Sequence, residues 1–428
     1  MAAEAPEPLE VTVERLGLEG EGIATHQGRA LFVAGALPGE RVRVRPEPEG
    51  KVRRAALDAV LEPSPLRRDA PCPLADRCGG CDWMQLQPSA QVAAKERLVL
   101  EALERIGRLS LSPVRVLPTA ASGTDTGTRR RAVLHWEGGA LAYYGRRSHR
   151  PVPVEVCPAL VPALAALPGR LTRALGSAGK RIRDVHLLAE GDAVSLGLSL
   201  EGPVRPPVRE AAEALVREGL ARGVMLVPPT GGAEELGRPV LEAPAPLRPD
   251  VRLRLRPDAF AQAHGSGTES LVSGALDLLA PATGDRALEL FAGVGTFTFA
   301  LAARVHSLVA VESSAPAVAQ GSAAGRAAGV ENVRWVQGDA ERVARGLLRE
   351  GATFDLLLAD PPRTGAPGLA PLASGLGARR LVYVGCDAGS LARDAGRLVE
   401  AGFSLEALQL VDLFPNTHHV EALLGFRR

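Results

Sequence analysis

Between residues 9 and 61 the apolar side chains fall in short runs, 9–13, 30–33, 41–44 and 55–61, with Gly17, Gly20, Gly22, Gly28 and Gly39 between them. Short strands punctuated by turn residues predict a small barrel, for which an oligonucleotide-binding topology is one form. An adaptor barrel with no ligand fits the same pattern. Residues 90–107 space their apolar side chains as a helix does. A middle region then alternates strand-like pieces, 185–188 and 194–200, with Pro/Gly-rich connections. From about residue 253 the pattern becomes strand, helix, strand. The runs 287–291, 308–311, 333–336, 356–359 and 381–384 read as buried strands between Ala-rich helical stretches, which predicts a doubly wound, mostly parallel sheet. Residues 244–249 read as a linker, and no internal repeat is evident. The expected division is a β-barrel over 1–65, a central α+β domain over 66–90 and 120–250, and a Rossmann-like α/β domain over 91–119 and 251–428.

At 428 residues the chain exceeds what one core usually supports. A net charge of +1 gives no global electrostatic case for nucleic acid, so such a case must rest on local patches. Lysine occurs only at 51, 95 and 180, and the remaining positive charge is arginine. The start, Met1-Ala2-Ala3-Glu4, has no basic segment leading into an apolar one, and no apolar run approaches the roughly 18 residues of a membrane span. The expectation is a cytoplasmic, monomeric protein with no membrane partner. One local patch stands out. Arg129, Arg130, Arg131, Arg146, Arg147 and Arg150 lie around Trp136, Tyr143 and Tyr144, with Glu137 the one acid between 129 and 150. Arginines interleaved with aromatics suit phosphate contacts and base stacking; an ordinary solvated hairpin fits equally well.

In the α/β region, Leu290-Phe291-Ala292-Gly293-Val294-Gly295-Thr296-Phe297 places two glycines in the turn after the first strand, where backbone can approach a ligand. Glu312 ends the second strand, where an acid accepts hydrogen bonds from ribose hydroxyls; Asp339 follows the third strand and Asp360 the fourth. The third glycine of a dinucleotide site is missing. Carboxylates at successive strand ends without a phosphate cradle suit a nucleoside with a cationic tail, as in S-adenosylmethionine. Each acid taken singly could instead be a helix cap.

The five cysteines divide by position. Cys72, Cys78, Cys81 and Cys157 can form one tetrad, suited to tetrahedral zinc or to an iron–sulfur cluster. An odd count with C-x-x-C spacing fits a metal site better than a disulfide framework. Cys386 is left over, just after the predicted strand 381–384 and downstream of Asp360-Pro361-Pro362-Arg363. Two methylation chemistries can follow such a turn. An exocyclic amine needs only orientation, whereas carbon 5 of a pyrimidine becomes nucleophilic only after a thiolate adds at carbon 6, and a base must later remove the displaced proton. Cys386 and Glu421 supply those two groups.

These residues resemble the RNA uracil-5-methyltransferase family, in particular the branch that modifies ribosomal RNA and carries a TRAM domain and an iron–sulfur cluster. The resemblance spans nearly the whole chain. It runs through Val33-Ala34-Gly35-Ala36-Leu37-Pro38-Gly39-Glu40, the cysteines at 72, 78, 81 and 157, Phe260-Ala261-Gln262, the loop 290–297, Asp360-Pro361-Pro362-Arg363, Cys386-Asp387, and Asp412-Leu413-Phe414-Pro415 through Glu421. It implies a TRAM barrel, a central domain holding a [4Fe–4S] cluster on the cysteine tetrad (structural zinc being the alternative), and a methyltransferase domain. It implies Cys386 as nucleophile and Glu421 as base. The S-adenosylmethionine contacts would be Gln262, Phe291, Thr296, Glu312, Asp339 and Asp360, beside the loop glycines Gly293 and Gly295. The implied partner is RNA, ribosomal in preference to transfer RNA. Three positions depart from the family: Gly385 stands where serine is usual, Ala388 where proline is usual, and Gln262-Ala263-His264 where Gln-Val-Asn is usual. A DPPR-type amine methyltransferase and a catalytically silent RNA-binding paralogue are the alternative functions.

Overall fold

The barrel closes from five strands, Leu9–Leu16, Gly22–His26, Arg29–Val33, Arg41–Pro46 and Arg54–Glu62. Strict alternation drives it. Val11, Val13, Val42 and Val44 point inward with Ala24, Leu31 and Val33, while Glu10, Thr12, Arg41 and Arg43 face outward. The strand Gly22–His26 was not expected because it opens on a glycine. That glycine is required: a Cβ there would lie 2.8 Å from the Ala36 carbonyl oxygen.

The turn at 33–40 ends on Glu40, which is fully buried. Its carboxylate accepts the Leu37 N–H at 2.8 Å and the Ser64 N–H at 3.3 Å, and Arg67 holds both oxygens, at 2.5 and 2.9 Å. Glu40→Ala strands the guanidinium and two amides, and about 3 kcal/mol of stability is expected to go with it. Urea unfolding checks this through a lower midpoint with an unchanged slope.

The computed structural model describes residues 7–48, 52–121, 123–259, 262 and 264–428. Met1 to Glu4, Phe260, Ala261 and Ala263 lie outside the described residues. Two compact units are distinguished. The first comprises 1–98, 143–152 and 414–419, and so holds the barrel, the segment from Cys72 to Cys81 and the start of the helix Pro88–Arg105. Leu16, Leu37, Trp83, Leu86 and Leu98 form its second apolar cluster.

The second unit comprises 99–142, 153–413 and 420–428. Its larger sheet runs in the order Val333–Gln337, Ser307–Glu312, Arg286–Leu290, Leu356–Ala359, Arg380–Gly385, Glu421–Arg427, Ser404–Asp412, Arg115–Ala121. All neighbours are parallel except Glu421–Arg427, which runs against both of its own. The five expected strands of this sheet are all present. Strand order reverses beside Arg286–Leu290, the place where ligands collect in doubly wound sheets.

A smaller sheet joins Glu234–Gly237, Gly223–Val227, Ala193–Leu200, Ile182–Glu190, Arg131–Glu137 and Ala140–Tyr144. Residues 244–249 are not a linker. Leu241–Ala245 and Arg248–Leu255 pair as a hairpin through Leu247, whose φ is 59°. Its alternating Leu241, Ala243, Ala245, Val251, Leu253 and Leu255 are buried, and in a two-stranded sheet prolines can sit where no ladder N–H is needed. Among the described residues, no helix is long and apolar enough to cross a membrane.

Candidate active site

Three neighbouring strands of the large sheet bring their chemistry to one edge. Asp360 follows Leu356–Ala359 and Cys386 follows Arg380–Gly385, both at C-terminal ends. Glu421 opens the adjacent antiparallel strand, so its N-terminal end meets the same edge. The ladder ends by pairing Gly385 with Ala422, the residues next to Cys386 and Glu421. The thiol and the carboxylate are therefore neighbours at this edge, close enough for Glu421 to act on the thiol.

Electrostatics here is dominated by burial. Glu421 is only 6% exposed, and burial pushes its carboxyl well above the ordinary carboxylate range; Asp360 pushes the same way and Arg363 opposes. Burial likewise raises Asp360. Cys386 is pushed up to about 12, first by burial and then by Glu421, Asp360 and Asp387, with Arg363 opposing. A thiol and two carboxyls that all bind protons more tightly than usual therefore meet at this edge.

The departures around the cysteine are packing features. A Cβ at position 385 would lie 2.4 Å from Leu391 Cδ1, so any larger residue there must displace the Leu391 side chain of the helix Ala388–Glu400. Asp387 caps that helix by accepting the Ser390 N–H at 2.8 Å, and Ala388 is its first residue. The turn after Asp360 is fixed from the same helix. Buried Asp394 accepts the Ala366 N–H and the Tyr383 hydroxyl, both at 2.8 Å.

The glycine loop lies at the end of Arg286–Leu290. Phe291 has a φ of 64° and Gly293 one of 57°; Gly295, at 104°, has the Phe299 ring 2.6 Å from where a Cβ would stand. A left-handed phenylalanine costs of order 1–3 kcal/mol, and such strain collects at ligand sites. Thr296 is half-buried in the same loop. Glu312 Oε2 accepts the Gly293 N–H at 3.0 Å, and Oε1 takes the Ser313 hydroxyl at 3.0 Å and the Ser314 N–H at 2.7 Å. Of about four lone-pair sites on a carboxylate, one is left for a ligand hydroxyl. Asp339 caps the helix Ala340–Arg349 by accepting the Arg342 N–H at 2.9 Å. Gln262 is buried, and its carbonyl accepts from Arg130 Nε at 3.0 Å. His264 Nδ1 accepts the Gly267 N–H, so this imidazole is a helix cap.

One residue escaped the sequence reading. Glu289 is fully buried, and neither of its oxygens has a hydrogen-bond partner among the described residues. Burial, opposed by the nearby Thr298 hydroxyl and reinforced by Asp360 and Glu312, pushes this carboxyl up to about 8. The signal was an acid inside the apolar run 287–291. Between its ordinary value and about 8 the folded chain holds a proton that the unfolded chain has released, so this group's contribution to stability falls as pH rises through that window. Glu289→Gln is expected to flatten the fall, by a few kcal/mol at most, in melting curves taken between about pH 5 and pH 8.

The cysteines expected to hold metal divide between the units. Cys72, Cys78 and Cys81 belong to the first and Cys157 to the second. Among the described residues no three His, Cys, Asp or Glu side chains are gathered as a metal site. The donor chemistry of the clustered three nonetheless suits a thiolate-held group: the Gly80 N–H points at Cys78 Sγ, 3.4 Å away. The arginine patch is more engaged than expected. Arg130 pairs with Glu190 at 2.6 Å, Arg146 donates to the Ala75 and Cys81 carbonyls at 2.8 and 3.2 Å, and Arg131 is buried enough to lower its basicity. Arg150 is exposed.

Comparison with known proteins bears on this edge directly. The profile of the tRNA (Uracil-5-)-methyltransferase family matches residues 248–427, and that of the TRAM domain matches 7–45. The chain is 35% identical to the 23S rRNA (uracil(1939)-C(5))-methyltransferase RlmD of Alkalilimnicola ehrlichii, with 99% of this chain and 97% of that one aligned. The chain belongs to the RNA uracil-5-methyltransferase family. The RlmD of Pseudomonas putida is 34% identical, over 97% of this chain and 92% of the relative. The crystal structure of Pyrococcus abyssi tRNA (uracil-54, C5)-methyltransferase with S-adenosyl-L-homocysteine shares the fold, with a TM-score of 0.74 at 21% identity over 98% of this chain and all of that one. This RNA uracil-5-methyltransferase thus has an N-terminal TRAM barrel and a C-terminal S-adenosylmethionine-dependent methyltransferase fold.

Proposed function

We propose that this chain methylates carbon 5 of one uridine in 23S ribosomal RNA, with Cys386 as nucleophile and Glu421 as the base. The observation that carries the chemistry is the end of the ladder at Gly385 and Ala422, which brings Glu421 close enough to act on the Cys386 thiol. The names of the RlmD relatives, matched over nearly the whole chain, support the choice of RNA. The action is cytoplasmic, where ribosomal RNA is made.

Cys386 begins as a thiol and gives its proton to the ionised Asp360 carboxylate beside it, which leaves Glu421 ionised for the later step. Its sulfur then adds to carbon 6 of a base extruded from its stack, which makes carbon 5 nucleophilic. The donor supplies a methyl group on a sulfonium, leaves as a neutral thioether, and by its positive charge favours the thiolate. After transfer Glu421 must be ionised to remove the carbon-5 proton; its raised affinity for protons makes it the stronger base. The electrons of that C–H bond form the C5–C6 double bond, and Cys386 leaves as a thiolate. The donor is held by the loop with Phe291, Gly293, Gly295 and Thr296, by Glu312, and by Gln262, Asp339 and Asp360. The remaining lone pair of Glu312 and the strained Phe291 support this pocket.

For the cysteines we place a [4Fe–4S] cluster on Cys72, Cys78, Cys81 and Cys157, in a central RNA-holding domain over 66–90 and 120–250. It would serve a structural or RNA-positioning role rather than a redox one, and the Gly80 N–H would hydrogen-bond its Cys78 ligand. Protein purified without oxygen is expected to be brown, with about four irons and four sulfides per chain. A colourless protein holding zinc would replace the cluster with a structural metal.

The activity is tested by incubating the protein with 23S RNA and methyl-labelled donor and analysing the nucleosides. Labelled 5-methyluridine supports the proposal. A methylated exocyclic amine would transfer the role to the Asp360-Pro361-Pro362-Arg363 turn, label in transfer RNA alone would change the substrate, and no product would leave an RNA-binding protein.

A further inference from the structure

We infer that Asp82 is a positioning residue for the reaction: it clamps the loop 414–419 that delivers Glu421 to the sheet edge. The inference rests on the reading of Glu421 as the base. Glu421 is the first residue of its strand: it pairs with Val411 on one side, and on the other the pairing with Arg380–Gly385 has already stopped at Ala422. The approach to it, 414–419, belongs to the first unit and is held there by side chains. Lys95 Nζ donates to the Phe414 carbonyl at 2.9 Å. Asn416 is fully buried with a φ of 65°; its N–H donates to Gln91 Oε1 at 2.7 Å, and its side-chain oxygen accepts from Arg68 at 2.9 Å and Gln91 at 3.0 Å. The Trp83 N–H reaches the Asn416 carbonyl at 3.0 Å.

Asp82 acts closest to Glu421. Its Oδ1 accepts the His418 N–H at 3.1 Å, and its Oδ2 meets His418 Nδ1 at 2.5 Å. One carboxylate thereby fixes both the backbone and the ring of the residue three positions before Glu421. The pair is half-buried against Gly20. A Cβ on Gly20 would fall 2.3 Å from Asp82 Oδ2 and 2.9 Å from His418 Cβ, and the Gly20 carbonyl is itself pinned by Trp83 Nε1 at 2.8 Å. No other residue of the clamp grips His418 at two points. A strand end displaced by about 1 Å can cost on the order of 10²-fold in rate.

Loss of Asp82 should act on the step Glu421 performs and spare the earlier ones. The test compares Asp82→Ala, His418→Ala, the double variant and Glu421→Gln with the intact protein. It measures turnover, RNA affinity, metal content and the fraction of enzyme trapped covalently on RNA in denaturing gels. Asp82→Ala and His418→Ala are each expected to slow turnover about 10- to 100-fold. Each should accumulate the covalent adduct while RNA affinity stays at the wild-type level, and the double variant should be no slower than the slower single one. Asp82→Asn, which keeps an acceptor for the His418 N–H, should fall between. His418→Ala removes the ring half of the contact without touching the cysteine segment, so it decides the matter if Asp82→Ala loses metal. Single variants that trap no more adduct than wild type, or losses that multiply in the double variant, would overturn the inference. A Glu421→Gln protein that itself traps no adduct would instead remove the assignment of the base.

Discussion

Cys386→Ala protein makes no detectable 5-methyluridine, a loss of at least about 10³-fold, while donor and RNA still bind. Without a sulfur to add at carbon 6, carbon 5 of uracil is not nucleophilic, and no neighbouring side chain replaces the thiol. Single-turnover methylation with saturating RNA measures the loss. The resting state of the thiol offers a second readout. Because burial and the carboxylates around it push Cys386 up to about 12, iodoacetamide should label this residue far more slowly at pH 7 than an ordinary exposed thiol. Labelling should climb about tenfold per pH unit through pH 9, followed on the peptide that contains it. Rapid labelling at neutral pH would show a thiolate already formed.

Glu421→Gln protein is expected to stop one step later. The amide cannot take the carbon-5 proton, so addition and methyl transfer proceed and elimination does not. Turnover falls about 10²- to 10⁴-fold, and enzyme accumulates joined to methylated RNA, stable in denaturing gels. The two variants differ in kind: Cys386→Ala abolishes the adduct and Glu421→Gln preserves it. A wild-type turnover rate for Glu421→Gln would assign proton removal to another group, with Asp360 the first to examine.

Much of this was legible in the chain because periodicity is written locally. The buried strands of the α/β region read directly as apolar runs, and the barrel strands, Gly22–His26 apart, read as alternation. The hairpin at 241–255 was missed because its prolines outvoted its alternation, although a two-stranded sheet tolerates them. The position of Cys386 at a strand end was visible, but the nearness of Glu421 to it was not, since that depends on the pairing of Gly385 with Ala422 across the 36 residues between them. Gly385 looked like a departure until the Leu391 contact supplied its reason. The arginines of 129–150 read equally as a phosphate-binding patch or a solvated hairpin, whereas Arg130 and Arg146 are tied to Glu190 and to backbone carbonyls far away in sequence. Asp82 gave no signal at all, because its partner His418 lies 336 positions along the chain.

The most direct test is to digest the RNA adduct of the Glu421→Gln protein and sequence its peptides by mass spectrometry. One uridine nucleotide carrying an extra methyl group, joined to Cys386, is the predicted result. An adduct on any other residue, or methylated RNA released from an enzyme whose Cys386 was never modified, would contradict the account.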